Sequence, residues 1–215
     1  MVDNLHDHRK NYDKGQLSET TVDPNPLQQF RTWFYEAMDT DGVDEANAMS
    51  ITTIGTDGFP KGRMVLLKKY DEYGFYFYTN YNSEKGKSIA QNNKVSLTFF
   101  WPIMERQIII QGTAEKTSKI DSDNYFQSRP KGSQLGAVVS EQSEIIADRD
   151  IMEDRLRALE EEYEGKEIPR PDYWGGYLVR PIKIEFWQGR PNRLHDRIQY
   201  VLDEDYNWKI NRLQP

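Results

Sequence analysis

Between Ala48 and Thr117 the sequence is a succession of short β-forming runs divided by turn signals, and this constrains the fold more than any other feature. "AMSITTIG" reads as a strand, followed by Asp57-Gly58 and Pro60 in "TDGFPKG". "RMVLLKKYDEYGFYFYTN" reads as a hairpin: a strand over 63–70, a turn from Asp71 to Gly74, and a strand over 75–79. "KVSLTFFW" and "RQIIIQGTAEKT" flank "PIME" as a further pair. Three more strands close the chain, at about 176–187, 195–202 and 207–212. Successive hairpins with helices inserted predict a mainly β fold, an antiparallel barrel with peripheral helices, and not a βαβ array.

The helices are the second layer of the reading. In "DPNPLQQFRTWFYEAM", Asp23 and Asn25 offer caps, Pro26 suits a first turn, and Leu27, Phe30, Trp33, Phe34 and Met38 recur at helical spacing. A short helix follows a cap at Asn82 or Ser83. Residues 119–165 are mostly helical, interrupted at Pro130, and "DRDIMEDRLRALEEEYEG" places Ile151, Leu156, Leu159 and Tyr163 on or near one stripe. Residues 1–24 are polar and aperiodic, which predicts a mobile arm before a single domain over 25–215.

Composition narrows the function. The chain has no cysteine, which excludes disulfides, thiolate metal sites and cysteine nucleophiles. Only one histidine, His195, lies beyond the arm, so no histidine metal cluster is expected. The net charge of −7 argues against a nucleic-acid partner. No apolar run is long enough to span a bilayer, and the N-terminus shows no apolar signal region, so the expectation is a cytoplasmic protein without a membrane partner. Neither GxGxxG nor GxxxxGK[ST] occurs.

Four basic constellations stand out against this acidic background. In "GRMVLLKKY", Arg63 and Lys68 border a strand apolar on both faces, a semi-buried setting that suits a phosphate grip or ordinary snorkelling at strand ends. In "YTNYNSEKGKS", hydroxyls and Lys85 gather at a helix start, which fits either an anion site or a plain cap. In "YFQSRPKGSQLGAVVSEQS", Tyr125, Arg129 and Ser133 recur every four residues, and Pro130 places them around a loop between two helices. A phenol, a guanidinium and a hydroxyl would suit a phosphate monoester, and surface polars of a helical turn explain them equally well. In "IEFWQGRPNRLHDR", Trp187 precedes a Gly turn, and Arg193, His195 and Arg197 follow at period two. On a strand these three would share one face and need an anionic partner, with Asp196 opposite. Reactive side chains are otherwise scarce, which points to a cofactor as the carrier of the chemistry.

These segments, together with "ERQIIIQG", "YWGGYLV" and the terminal "WKINRLQP", resemble the pyridoxine/pyridoxamine 5′-phosphate oxidase family from about residue 7 to the C-terminus. "EFWQG", four residues, then "RLHDR" is its most specific motif here. The resemblance implies an FMN-dependent split β-barrel homodimer with FMN at the subunit interface. It implies oxidation of pyridoxamine or pyridoxine 5′-phosphate to pyridoxal 5′-phosphate, with O2 becoming H2O2.

By motif, the resemblance assigns FMN contacts to Arg63, Met64, Val65, Leu66, Lys68, Tyr78, Thr79, Ser83, Lys85, Gln107, Gln142, Ser143, Trp187 and Arg197. It assigns the substrate phosphate to Lys68, Tyr125, Arg129 and Ser133, and the pyridine end and the catalytic step to Arg193 and His195. Arg9 and Tyr12 resemble a lid segment, and Arg190 falls outside the matched positions. Glu84 departs from the family's usual arginine, which leaves Arg63 and Lys85 to hold the FMN phosphate. Two other classes fit the same barrel: a non-catalytic flavin or pyridoxal-phosphate carrier, and a flavin or deazaflavin reductase. The complete substrate constellation argues against both.

Overall fold

The computed structural model describes residues 4–215; the first three residues of the expected arm lie outside the described residues. Helix α1 (Pro26–Met38) starts where the sequence says it should, because the Asn25 carboxamide oxygen accepts from the Leu27 N–H and Pro26 occupies the first turn. The strands are β1 (Ala48–Ile54), β2 (Pro60–Leu66), β3 (Lys69–Asp71), β4 (Gly74–Asn80), β5 (Lys94–Trp101), β6 (Arg106–Lys116), β7 (Trp174–Gln188), β8 (Asp196–Leu202) and β9 (Trp208–Leu213). The remaining helices are α2 (Glu84–Gln91), α3 (Lys119–Ser128), α4 (Lys131–Val139) and α5 (Arg149–Glu162). The strands join in the order β2-β1-β5-β6-β7-β4-β3, with β8 on β7 and β9 on β8.

The expected single strand over 63–70 is instead two. Strand β2 pairs with β1, whereas β3 pairs antiparallel with β4, and the two lie at opposite ends of the strand order. The exchange happens at Leu67, which is buried, and Lys68, which is exposed and whose N–H already bonds the Tyr76 carbonyl. No turn residue separates Leu66 from Lys69, so the sequence pattern could not reveal a change of partner. Nor is β2 buried on both faces: Met64 is 65% exposed.

The described chain divides into two compact units. One comprises the stretch through Ser50, Ser96–Gln111 and Pro181–Pro215. Its core packs Trp33 edge-on against Phe186, Phe30 against Phe99, and Phe186 against Tyr200. Strands β7 and β8 pair here with Trp187 opposite Arg197, and β9 continues the ladder with Leu213 opposite Arg197.

The other unit comprises Ile51–Val95 and Gly112–Arg180. There β4 pairs with the first half of β7, placing Tyr78 opposite Gly176 and Thr79 opposite Gly175. A satellite core of Phe126, Leu135, Ile168 and Trp174 seats the helices, and α5 contributes Leu156 and Leu159, with Tyr163 just beyond it. Ile151 was expected on the same stripe but stays 39% exposed. No helix among the described residues is long and apolar enough to cross a membrane.

Candidate active site

In the unit built on β4 and α2, the start of α2 collects cations. Ser83 caps the helix by accepting from the Gly86 N–H, and this turn aims Lys85 inward. The Lys85 side chain is buried, and its Nζ lies 3.2 Å from Thr79 Oγ1, 3.0 Å from Gln142 Oε1 and 3.5 Å from Ser83 Oγ. All three partners are neutral, and among the described residues no carboxylate lies within ion-pair reach of Lys85. Burial, then the nearby Arg63 charge, brings its pKa down to about 8. Arg63 gives one nitrogen to Thr53 Oγ1 at 2.7 Å, while its Nη2 is buried without a hydrogen-bond partner. Glu84 approaches that nitrogen only to 3.9 Å, too long for a hydrogen bond, and instead takes Lys61 at 2.5 Å.

Beside this cluster is a cavity of about 350 Å³ whose walls include Tyr78, Thr79, Arg129, Ser133, Gln142 and Trp174. Tyr78 and Tyr125 stack with centroids 3.8 Å apart, and Trp174 lies nearly parallel to both. The Arg129 guanidinium sits 4.6 Å from the Trp174 centroid. Its Nη1 is buried and unpartnered, a second fork held open. Burial pushes the Tyr78 phenol up to about 12 and raises that of Tyr125, so both stay protonated donors at neutral pH. Lys68 is exposed, against the expectation of semi-burial, and Gln142 and Ser143 lie on an exposed segment where Ser143 has a φ of 77°.

The other unit carries its own basic pocket, of about 610 Å³, walled by Arg9, Lys10, Tyr12, Arg190, Arg193 and His195 among others. The strand expected at about 195–202 is present as β8, from Asp196, so Arg193 and His195 precede it and the three bases do not share one strand face. Residues Pro191–Arg193 form a tight turn in which Asn192 and Arg193 both hold left-handed backbone, with φ of 57° and 62°. The Arg190 N–H closes that turn on His195 Nδ1 at 3.1 Å, which leaves the imidazole proton on Nε2. Burial, then the Arg193 charge, lowers the His195 pKa from its ordinary value.

Arg197 finds its anion within the chain: Glu185 takes both arms of its fork, at 2.7 and 3.1 Å. Asp196 neutralises Arg212 at 2.9 Å and reaches Arg190 at 3.6 Å, so the acids of this stretch do meet its arginines. Arg193, exposed, has no carboxylate partner among the described residues. Trp187 stands 4.7 Å from the His195 ring, and Gln107 is half-buried on β6.

The family model for pyridoxamine 5′-phosphate oxidase matches residues 37–162, and the model for the pyridoxine 5′-phosphate oxidase C-terminal dimerisation region matches 174–215. The chain belongs to the pyridoxamine 5′-phosphate oxidase family. Relatives named pyridoxine/pyridoxamine 5′-phosphate oxidase include one from Flavobacterium johnsoniae, 58% identical over 99% of both chains. Another, from Cyanothece, is 52% identical over the full length of both. Among solved structures, PhzG from Burkholderia lata, in complex with tetrahydrophenazine-1-carboxylic acid, superposes with a TM-score of 0.88 at 27% identity, covering 96% of this chain and all of that one. A pyridoxamine 5′-phosphate oxidase-related, FMN-binding protein from Nostoc punctiforme shares the fold, with a TM-score of 0.70 at 14% identity, covering 90% of this chain and all of that one.

For this oxidase-family member the fold is the expected mainly β, antiparallel split barrel with peripheral helices. Of the residues assigned from sequence, Arg63, Thr79, Ser83, Lys85 and Gln142 come together around α2. Tyr78, Tyr125, Arg129 and Ser133 line or adjoin the neighbouring cavity. Arg9, Tyr12, Arg193 and His195 share the basic pocket. Met64, Val65 and Leu66 run along β2. The sequence reading missed Trp174, which backs Arg129, and set aside Arg190, which holds His195. An aromatic just before "GGY" was the available signal for the first.

Proposed function

We propose that the chain oxidises pyridoxamine 5′-phosphate and pyridoxine 5′-phosphate to pyridoxal 5′-phosphate, reducing O2 to H2O2 and, from the amine, releasing ammonia with uptake of water. The observation that carries this is Lys85, a buried ammonium on neutral oxygens beside an arginine nitrogen with no hydrogen-bond partner. Two cations so placed, and a second orphaned guanidinium at Arg129, suit two phosphate monoesters. Arg63, Ser83 and Lys85 would hold the FMN phosphate, and Lys68, Tyr125, Arg129 and Ser133 the substrate phosphate.

When bound, FMN would supply the redox chemistry, with its N5 as acceptor for a hydride from substrate C4′ and O2 as the final acceptor of two electrons and two protons. The protein supplies position and charge. Met64, Val65 and Leu66 offer strand backbone to the flavin, and Tyr78, Thr79, Gln142 and Ser143 border it. Gln107, Trp187 and Arg197 come to the flavin through the family resemblance, with Glu185 fixing the orientation of Arg197. Arg193 brings positive charge to the pyridine end, and His195 offers its Nε2 proton as a hydrogen-bond donor. Arg9 and Tyr12 act as a lid carried by the 1–24 arm, and 25–215 is the oxidase domain. A cytoplasmic homodimer with FMN at its interface is the assembled form, a reading supported by the match to the dimerisation region.

The purified protein should be yellow. It should bleach on anaerobic addition of pyridoxamine 5′-phosphate and recolour in air. A yellow protein that never bleaches indicates a carrier, and bleaching only with a nicotinamide donor indicates a reductase.

A further inference from the structure

Among the described residues of its unit, Glu105 is the one buried acid that no proposed chemistry uses. Its side chain is 1% exposed. One carboxylate oxygen accepts two backbone N–H groups of the N-terminal arm, from Asp13 at 2.9 Å and Lys14 at 3.1 Å. The other oxygen makes no hydrogen bond and has the Lys10 ammonium 3.3 Å away. A buried carboxylate must be compensated, and here the arm supplies the compensation.

The backbone of the same residue faces the other way. Glu105 holds φ at 56°, a left-handed conformation unfavourable for a residue with a Cβ. Its carbonyl accepts the Gly189 N–H at 2.7 Å and the Gln188 carboxamide at 3.2 Å. Between these two anchor points lies Tyr12, edge-on to Trp187 at 5.8 Å and 5.8 Å from the His195 ring. Tyr12 fits because residue 189 is glycine: a Cβ there would meet the Tyr12 ring at 2.8 Å.

We propose that Glu105 is a positioning residue that docks the arm onto the His195 pocket, tying Asp13 and Lys14 to the Gln188–Gly189 turn so that Tyr12 and Arg9 become part of the pocket wall. The kinetic arm of the test rests on the oxidase reading; the proteolytic arm does not. In the intact protein, Glu105→Ala should raise tryptic cleavage after Lys10 and Lys14 by about tenfold, because opening of the arm then limits less. It should raise the KM for pyridoxine 5′-phosphate about tenfold, with kcat and flavin content within about twofold. In a Tyr12→Ala background the same substitution should shift KM by less than about twofold, since the two residues act through one contact.

Asp13→Pro removes one donated N–H and leaves the buried side chain intact, so it carries the test if Glu105→Ala does not fold; the same changes are expected. Wild-type cleavage and KM in either folded variant would overturn the proposal, as would a KM loss undiminished in the Tyr12→Ala background. A wild-type protein that does not oxidise the substrate defeats the oxidase reading alone, and cleavage still decides Glu105.

Discussion

At the scale of single residues, Lys85 shows how a binding site lowers the stability of the protein that carries it. The ordinary lysine value is 10.5, and burial with Arg63 alongside brings Lys85 to about 8. The unfolded chain therefore keeps this proton up to about 10.5 while the folded chain releases it near 8. Between those values the unfolded state binds more protons, so this group's penalty fades as pH rises; below 8 the penalty is complete. Lys85→Met should raise the stability of the flavin-free protein at pH 7 by about 1–3 kcal/mol. The gap from wild type should close as the pH climbs through 8 toward 10.5, read by thermal melts across that range. The same variant should lose flavin affinity. Equal melting of the two proteins at every pH would show that Lys85 is not penalised.

At the scale of elements, the first turn of α2 does the placing. Gly86 follows Lys85, and a Cβ at 86 would stand 2.1 Å from the Tyr81 carbonyl oxygen, a backbone atom that cannot swing aside. Gly86→Ala should therefore push the 81–83 turn off the helix and cost about 1–3 kcal/mol. Flavin retention should fall with it, measured by absorbance after gel filtration; full retention at wild-type stability would refute the placement. Much at this scale was legible in advance. The Asn25-Pro26 start of α1, the break at Pro130 and the grouping of Arg129 with Ser133 all follow from local chemistry. The change of partner at Leu67–Lys68 was not, because alternation records which face a residue takes and not which strand it pairs with. Nor was the form of the turn at Asn192–Arg193: neither residue requires left-handed backbone, so the gap between the expected strands gave no sign of it. The same gap hid Arg190, whose role depends on the chain doubling back to His195.

At the scale of the whole molecule, the single chain leaves large apolar side chains in water, among them Phe59 at 70% and Leu194 at 68% exposure. Together with the match of 174–215 to a dimerisation region, this predicts a sedimenting species of twice the 25.3 kDa chain mass. A 25.3 kDa particle at micromolar concentration would contradict it.

The nitrogens of Arg63 and Arg129 that lack a hydrogen-bond partner have a consequence for the protein's life in the cell. A ligand that binds only the folded state adds stability by mass action, about 2.7 kcal/mol when its concentration is a hundred times its Kd. A chain that folds with cations waiting for phosphate gains more from its ligands than one whose charges are already matched. Flavin supply would then regulate abundance as well as activity, since chains made when FMN is scarce would be the first cleared by proteases.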